Sequence, residues 1–415
     1  MKILWFTNTP SLYKKNTKGY NGGGWIESLE QIIAQQKDIE LAVSFFHSDD
    51  CFKSKQGRST YYPISHYNSI LKKIKHNLFY NKYDKAEINA FMEVVEDFKP
   101  DVIHIFGSEQ SFGLITKQTK IPVIIHIQGI LNPYQNAYYA PGYSKLDIVK
   151  SNLLKPLYLI LKLRGLQIFN HNTKREVTIL KNCNFFMGRT EWDKNVSLLF
   201  APQANYFYCS EVLRDIFYTS VPWKVKNRDK FVLVSTISKT SYKGFDLVLK
   251  TAQLLKQLAS DFNFEWRIFG VNEYKEWEKK LGIKCNEVNI HLRGIANSET
   301  LVQNIQDADL FMHPSYIDNS PNSVCEAQIL GIPVISTNVG GISSLIENNK
   351  TGVLIPANDP YTLASKIITF KNNPEIASKI GNKARETALL RHNKETIKTD
   401  LLNIYKDIQN AINNN

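Results

Sequence analysis

Short, nearly unbroken apolar runs punctuate the chain, and between them lie longer stretches whose apolar positions recur every three or four residues. In the first half the runs are 2–7 (KILWFT), 39–47 (IELAVSFFH), 101–106 (DVIHIF), 122–127 (PVIIHI) and 183–188 (CNFFMG). After a polar segment, 221–230, the same grammar restarts with FVLVST, FEWRIFG, VNIHLRG, ADLFMHP, IPVIST and GVLIP. Apolar runs without in-and-out alternation, separated by helices, predict parallel strands covered on both faces. The economical architecture is α/β: two consecutive doubly wound Rossmann-like domains, 1–220 and 221–389, followed by a helical tail. Sheets of this kind bind ligands beyond the carboxyl ends of their strands, so the loops after each run are where chemistry is expected.

The totals agree with two globular domains: 415 residues, 43% hydrophobic and 22% charged. No apolar run approaches the ~18 residues of a membrane span. The N-terminal MKILWFTNTP reads as a first strand, not as a signal peptide. Five cysteines, spread out and never in a CxxC pair, point to reduced thiols in a cytoplasmic protein and away from a zinc site. The net charge of +12 fits solubility, an anionic substrate, nucleic acid or an anionic membrane surface. Two segments, 69–85 and 153–169, mix Lys and Arg with Leu, Ile, Phe and Tyr as interfacial helices do. They predict peripheral association with the inner face of the cytoplasmic membrane.

The stretch 313–337, HPSYIDNSPNSVCEAQILGIPVIST, carries two acids, Asp318 and Glu326, eight residues apart. That spacing does not make neighbours on one helix. Ser320 and Pro321 predict a helix start, with Ser as N-cap and Pro as first helical residue, and Gly331 predicts its end. Asp318 then precedes the helix and Glu326 lies inside it. A diphosphate can sit on the free N–H groups at such a start, with the two acids accepting sugar hydroxyls beside it. The plainer alternative is a turn residue and a solvated helix residue.

The ordered set 307–360 resembles the donor-binding half of retaining GT-B glycosyltransferases of the family 4 type, the group that builds capsules and lipopolysaccharides. Glu326, Ala327, Gly331, Pro333, Val334, Ile335, Gly340 and Gly341 match its signature. Asp318 departs from it, standing where Glu is usual, as does Ser344, where many relatives carry another Glu. The resemblance implies two Rossmann-like domains facing a central cleft, with 390–415 packing back on the first. It also implies transfer of a sugar from a UDP- or GDP-linked donor to a hydroxyl of a glycan or lipid-linked acceptor, with no cofactor and no metal. Asp307 and Asp309 form an Asp-x-Asp, but they end a helix and precede a buried strand, so a metal role is rejected for them.

The same resemblance assigns candidate residues. Lys243 and Gly244 match a Lys-Gly pair that grips the donor diphosphate. The usual Arg nearby is missing, and Lys239 is the nearest substitute. Asn319, Ser320, Pro321, Asn322 and Ser323 would line the donor at the helix start, and Arg293, Gly294 and Ile295 would meet its base. On the acceptor side stand Gly22, Gly23, Gly24 and Trp25. A catalytic His normally ends the strand resembled by 122–127; here Gln128 takes that place and His126 lies two residues before it, so both are candidates for the site. Arg189, Glu191 and Glu211 are polar candidates for lining it. Two rival functions remain: a nucleotide-sugar epimerase or hydrolase on the same fold, and a basic nucleic-acid-binding protein. Nucleic acid is not expected as a partner.

Overall fold

A computed structural model of the protein describes residues 1–14, 24–48, 52–65 and 83–413. Gly22, Gly23 and most of the basic segment 69–85 lie outside them. The chain forms two compact units: Met1–Gln135, Lys155–Val212 and His392–Asn415 make the first, and Asn136–Leu154 with Leu213–Arg391 the second.

Among the described residues the first unit holds eight strands: β1 (Lys2–Thr7), β2 (Glu40–His47), β3 (Ser54–Gln56), β4 (Ser59–Ser65), β5 (Val102–Phe106), β6 (Val123–His126), β7 (Phe185–Gly188) and β8 (Asn205–Tyr208). Their order is β3-β4-β2-β1-β5-β6-β7-β8, parallel throughout except for the β3–β4 pair. The central strands β5 and β6 are buried end to end, and β1 from Ile3 on, because their apolar residues face helices on both sides. β3, β4 and β8 carry weaker apolar signals in sequence and add to the five strands expected. The helix Lys394–Asn413 packs on this sheet through Ile397, Leu401, Ile404, Tyr405 and Ile408. Tyr405 anchors it: its hydroxyl accepts from Trp5 Nε1 (3.0 Å) and meets His104 Nδ1 (2.6 Å).

The second unit holds β9 (Phe231–Thr236), β10 (Phe264–Phe269), β11 (Ile290–Gly294), β12 (Leu310–His313), β13 (Val334–Thr337) and β14 (Val353–Ile355). All are parallel, in the order β11-β10-β9-β12-β13-β14. The chain builds outward from β9 in one direction and then returns to lay β12 on its other side. That reversal makes β9 and β12 the topological switch point, where sheets of this type bind ligands.

Candidate functional site

Two loops leave the carboxyl ends of β9 and β12, which pair in register at Leu233 with Leu310 and Val234 with Phe311. The first loop carries Lys243 and the second Asp318, and Lys243 Nζ lies 2.6 Å from Asp318 Oδ2. Gly244 makes the approach possible. Its φ is +72°, and a Cβ there would overlap the Pro314 carbonyl oxygen at the end of β12. A second glycine holds Asp318 from the other side. A Cβ on Gly340 (φ +52°) would overlap the Asp318 carbonyl oxygen, and Gly341 N donates to that oxygen (3.0 Å). The Gly-Gly pair therefore fixes the backbone that presents Asp318.

Asp318 is buried and collects three partners on one oxygen: Lys243, His313 Nε2 (3.1 Å) and Ser315 Oγ (3.3 Å). Burial alone would push its carboxyl up, but the Lys243 ammonium and His313 hold it well below the usual carboxylate range. Burial likewise pulls the Lys243 ammonium down, and the Asp318 charge more than offsets that, leaving it raised. The pair is charged at neutral pH.

The helix predicted from Ser320 runs Asn322–Leu330, with Pro321 as its N-cap and Gly331 (φ +85°) as its C-cap. The start is thus one residue later than expected. Pro321 is extended (φ −68°, ψ 121°), so Ser320 is displaced from the capping position, and its hydroxyl is buried with no hydrogen-bond partner. Intrahelical bonding begins with Val324 N and Cys325 N on the Pro321 carbonyl, so the N–H groups of Asn322 and Ser323 open the helix ahead of it. Asn319 is fully buried beside them.

Glu326 is not a solvated helix residue: it is 4% exposed. Burial pushes its carboxyl up to about 7, with Arg214 pulling in the opposite sense. Both guanidinium contacts, Nε (2.9 Å) and Nη2 (2.7 Å), converge on Oε1. Lys239 lies exposed in the loop after β9, Arg293 is exposed on the edge strand β11, and Gly294 ends that strand beside the exposed Ile295. Asp307 and Asp309 are held by arginines: Arg228 reaches both (3.1 and 2.9 Å), and Arg267 Nη1 takes Asp307 (2.7 Å). Among the described residues, no group of three or more His, Cys, Asp or Glu could hold a metal ion.

In the first unit the acceptor-side candidates divide. Gly24 opens the helix Gly24–Ile33, and Trp25 is buried with the Arg189 guanidinium 5.7 Å from its ring centroid. Arg189 and Glu211 form a buried ion pair. Glu191 stands apart: it is the exposed first residue of the helix Glu191–Phe200, paired with Lys194 one turn on (3.7 Å). Gln128 and His126 do not lie on one strand, because β6 ends at His126. His126 is buried among the rings of Trp25, His104 and Phe106, and neither ring nitrogen has a hydrogen-bond partner. Burial holds it well below its usual pKa, so it is neutral. Gln128 is half-buried just beyond, its amide near the His126 carbonyl (3.4 Å).

Three residues escaped the sequence reading. His313 carried a local signal, as the last residue of a strand five before Asp318. Arg214 carried none, lying 112 residues from Glu326. Glu109, after β5, accepts from Gly129 N (3.1 Å), and burial together with the nearby Glu176 charge pushes it up to about 7.

Residues 221–387 match the model of the family described as glycosyl transferases group 1. A curated relative, the putative colanic acid biosynthesis glycosyltransferase WcaL of Salmonella typhimurium, is 28% identical over 187 residues, 42% of this chain and 45% of that protein. The chain thus spans less than half the length of that relative. Two solved structures share the fold from end to end. Sucrose-phosphate synthase from Thermosynechococcus elongatus is 15% identical with a TM-score of 0.73, covering 99% of each chain. HepE from Anabaena, solved with UDP and glucose, is 14% identical with a TM-score of 0.64, covering 98% of this chain and 99% of that one. The stretch that matches the glycosyl transferases group 1 model contains all six strands of the second sheet, and the chain carries the GT-B fold.

Proposed function

We propose that the protein is a retaining glycosyltransferase that moves a sugar from a nucleoside-diphosphate sugar to a hydroxyl of a glycan or lipid-linked acceptor in surface polysaccharide synthesis. The observation that carries this reading is the Lys243–Asp318 pair at the switch point of the second sheet, beside the opening of the helix Asn322–Leu330. A diphosphate at that opening meets N–H groups, the positive end of the helix dipole, the unpartnered Ser320 hydroxyl and a lysine within reach. The name of the colanic acid relative supports the polysaccharide setting, and the UDP in HepE supports UDP over GDP as carrier.

In the reaction, the bond between the anomeric carbon and the diphosphate oxygen breaks. Negative charge develops on that oxygen, where Lys243 and the Asn322 and Ser323 N–H groups stabilise it. The acceptor hydroxyl attacks from the same face and passes its proton to the departing phosphate, so configuration is retained. Asp318 positions the transferred sugar and Glu326 the ribose hydroxyls. The arginines on Asp307 and Asp309 occupy the acids that a metal would need, which supports a metal-independent reaction.

Calorimetry with UDP and GDP on the wild type and on Lys243→Ala tests the donor site. NMR of the product tests stereochemistry. UDP binding that weakens at least tenfold in the variant is expected, together with an α product from an α donor. Unchanged affinity, or an inverted product, overturns the reading.

A further inference from the structure

The helix Pro156–Lys181 is 26 residues long, yet its buried residues are Thr173, Glu176, Ile179 and Leu180, all in its last third. Its first 17 residues, about 25 Å at 1.5 Å per residue, contribute nothing buried. That unburied part is the apolar part. Leu157 is 72% exposed, Ile160 61%, Leu161 56% and Tyr158 44%. At 100° per residue these four occupy one arc of about 160°. Scattered exposed apolar residues are ordinary, but four on one arc of one helix mark an interaction surface.

Charge decides what covers it. From Lys155 to Arg175 the sequence holds Lys155, Lys162, Arg164, Lys174 and Arg175 and not one Asp or Glu. Arg175 is engaged with Asp84 (3.3 Å). Lys155 and Lys162 lie on one flank of the apolar arc, Lys162 with its ammonium 5.6 Å from the Tyr158 ring centroid. Arg164 projects within the arc itself, one turn beyond Ile160, its guanidinium on Gln167 (2.7 Å) of the same helix. Long cationic side chains beside an exposed Leu/Ile/Tyr arc suit a lipid interface, where the stems lie along the apolar layer and the charges reach phosphate headgroups. A protein groove of matching shape would be served by the apolar arc alone; the unbroken positive flank favours an anionic bilayer.

We propose that the first four turns of the helix Pro156–Lys181 dock on an anionic lipid surface, with Leu157, Ile160 and Leu161 in the headgroup boundary and Lys155, Lys162 and Arg164 on the phosphates. This surface belongs to the first unit and does not depend on the reaction assigned to the second. Among the described residues no helix is long and apolar enough to cross a membrane, so the contact is peripheral.

The test is sedimentation of the full chain with vesicles of phosphatidylcholine alone and of phosphatidylcholine with about a third phosphatidylglycerol, a surface that attracts each nearby Lys or Arg. Binding is expected to the anionic vesicles only, weakening in high salt. The exposed-site variants Lys155→Glu/Lys162→Glu and Leu157→Ser/Leu161→Ser are each expected to reduce it at least tenfold, since both the charges and the buried apolar area contribute. UDP affinity, read on the same preparations, is expected to stay at the wild-type value, which shows the variants folded and separates this proposal from the donor assignment. Equal binding to neutral vesicles, no vesicle binding at all, or variants that bind as the wild type does would overturn it. A dimer of the wild type that Leu157→Ser/Leu161→Ser dissolves would overturn it too, in favour of a second copy of the chain as the occupant.

Discussion

Lys243 Nζ and Asp318 Oδ2 are 2.6 Å apart although 75 residues separate them in sequence. Two adjacent parallel strands bring them together, and the two glycines beside them remove the side chains that would keep the loops apart. The same logic explains why Asp318 and Glu326 stand eight apart. They are not partners of each other, because each has its own cation: Lys243 for Asp318 and Arg214 for Glu326.

Because Lys243 and Asp318 share a contact, their substitutions are expected to be non-additive. Lys243→Ala removes a charge-assisted bond worth roughly 1.5–3 kcal/mol and should weaken nucleoside-diphosphate affinity at least tenfold. Asp318→Asn should chiefly lower kcat, because misplacing the sugar costs rate more than ground-state affinity. A double-mutant cycle on kcat/KM should show coupling of about 0.5–3 kcal/mol. Additive losses would place the two residues in separate roles.

Arg214 opposes the burial that pushes Glu326 up to about 7. Removing it should raise Glu326 further, so that Arg214→Ala is largely protonated at Glu326 at pH 7 and resembles Glu326→Gln in its weaker donor binding. Raising the pH should restore the charge and part of the affinity in Arg214→Ala but not in Glu326→Gln. Calorimetry at pH 7 and pH 9 checks this. If Asp318→Asn and Glu326→Gln both keep wild-type kcat and KM, the two acids have no part in the reaction.

Glu109 predicts a pH dependence of stability. Burial and the Glu176 charge raise it to about 7 in the folded chain, against 4.5 for an ordinary glutamate, while Gly129 N and Arg189 act the other way. Between those values the folded state holds a proton that the unfolded state has lost, so stability falls as pH rises through this window and is level above it. Glu109→Gln keeps an acceptor for Gly129 N and removes the titration. The variant should gain roughly 2–3 kcal/mol relative to wild type between pH 4.5 and pH 8, read from urea midpoints.

Tyr405 joins the helix Lys394–Asn413 to the first sheet through Trp5 and His104. Burial pushes His104 down to about 3, so it is neutral, and its Nδ1 shares a hydrogen bond with the tyrosine hydroxyl. Tyr405→Phe leaves two buried polar groups without that partner and should cost about 2 kcal/mol. A urea midpoint unchanged by the substitution would argue against this anchoring.

Asp307 and Asp309 are committed to Arg228 and Arg267. Turnover should therefore persist in excess EDTA. Its complete loss, with recovery on adding magnesium or manganese, would overturn the rejection of a metal role for these acids.

The sequence by itself determined the strands of both sheets that carry dense apolar runs, the restart after residue 230 and the placing of Asp318 before one helix and Glu326 inside it. These are local signals, written in composition and spacing within a few tens of residues. The edge strands β3 and β8 were not legible, because an edge strand is half covered and needs fewer apolar residues, and the buried β4 was hidden by the Pro63 in its STYYPIS run. Only the tertiary structure decided which cation serves which acid. Sequence spacing says nothing about contacts such as Arg214 with Glu326, which arise when distant loops converge. It also moved the helix cap from Ser320 to Pro321, since the start is set by where the loop from β12 can deliver the chain. It separated His126 from Gln128 by ending β6 between them, and it left the first turns of Pro156–Lys181 uncovered. Whether an apolar residue is core or surface depends on what packs against it, and that is settled by the fold, not by the residue.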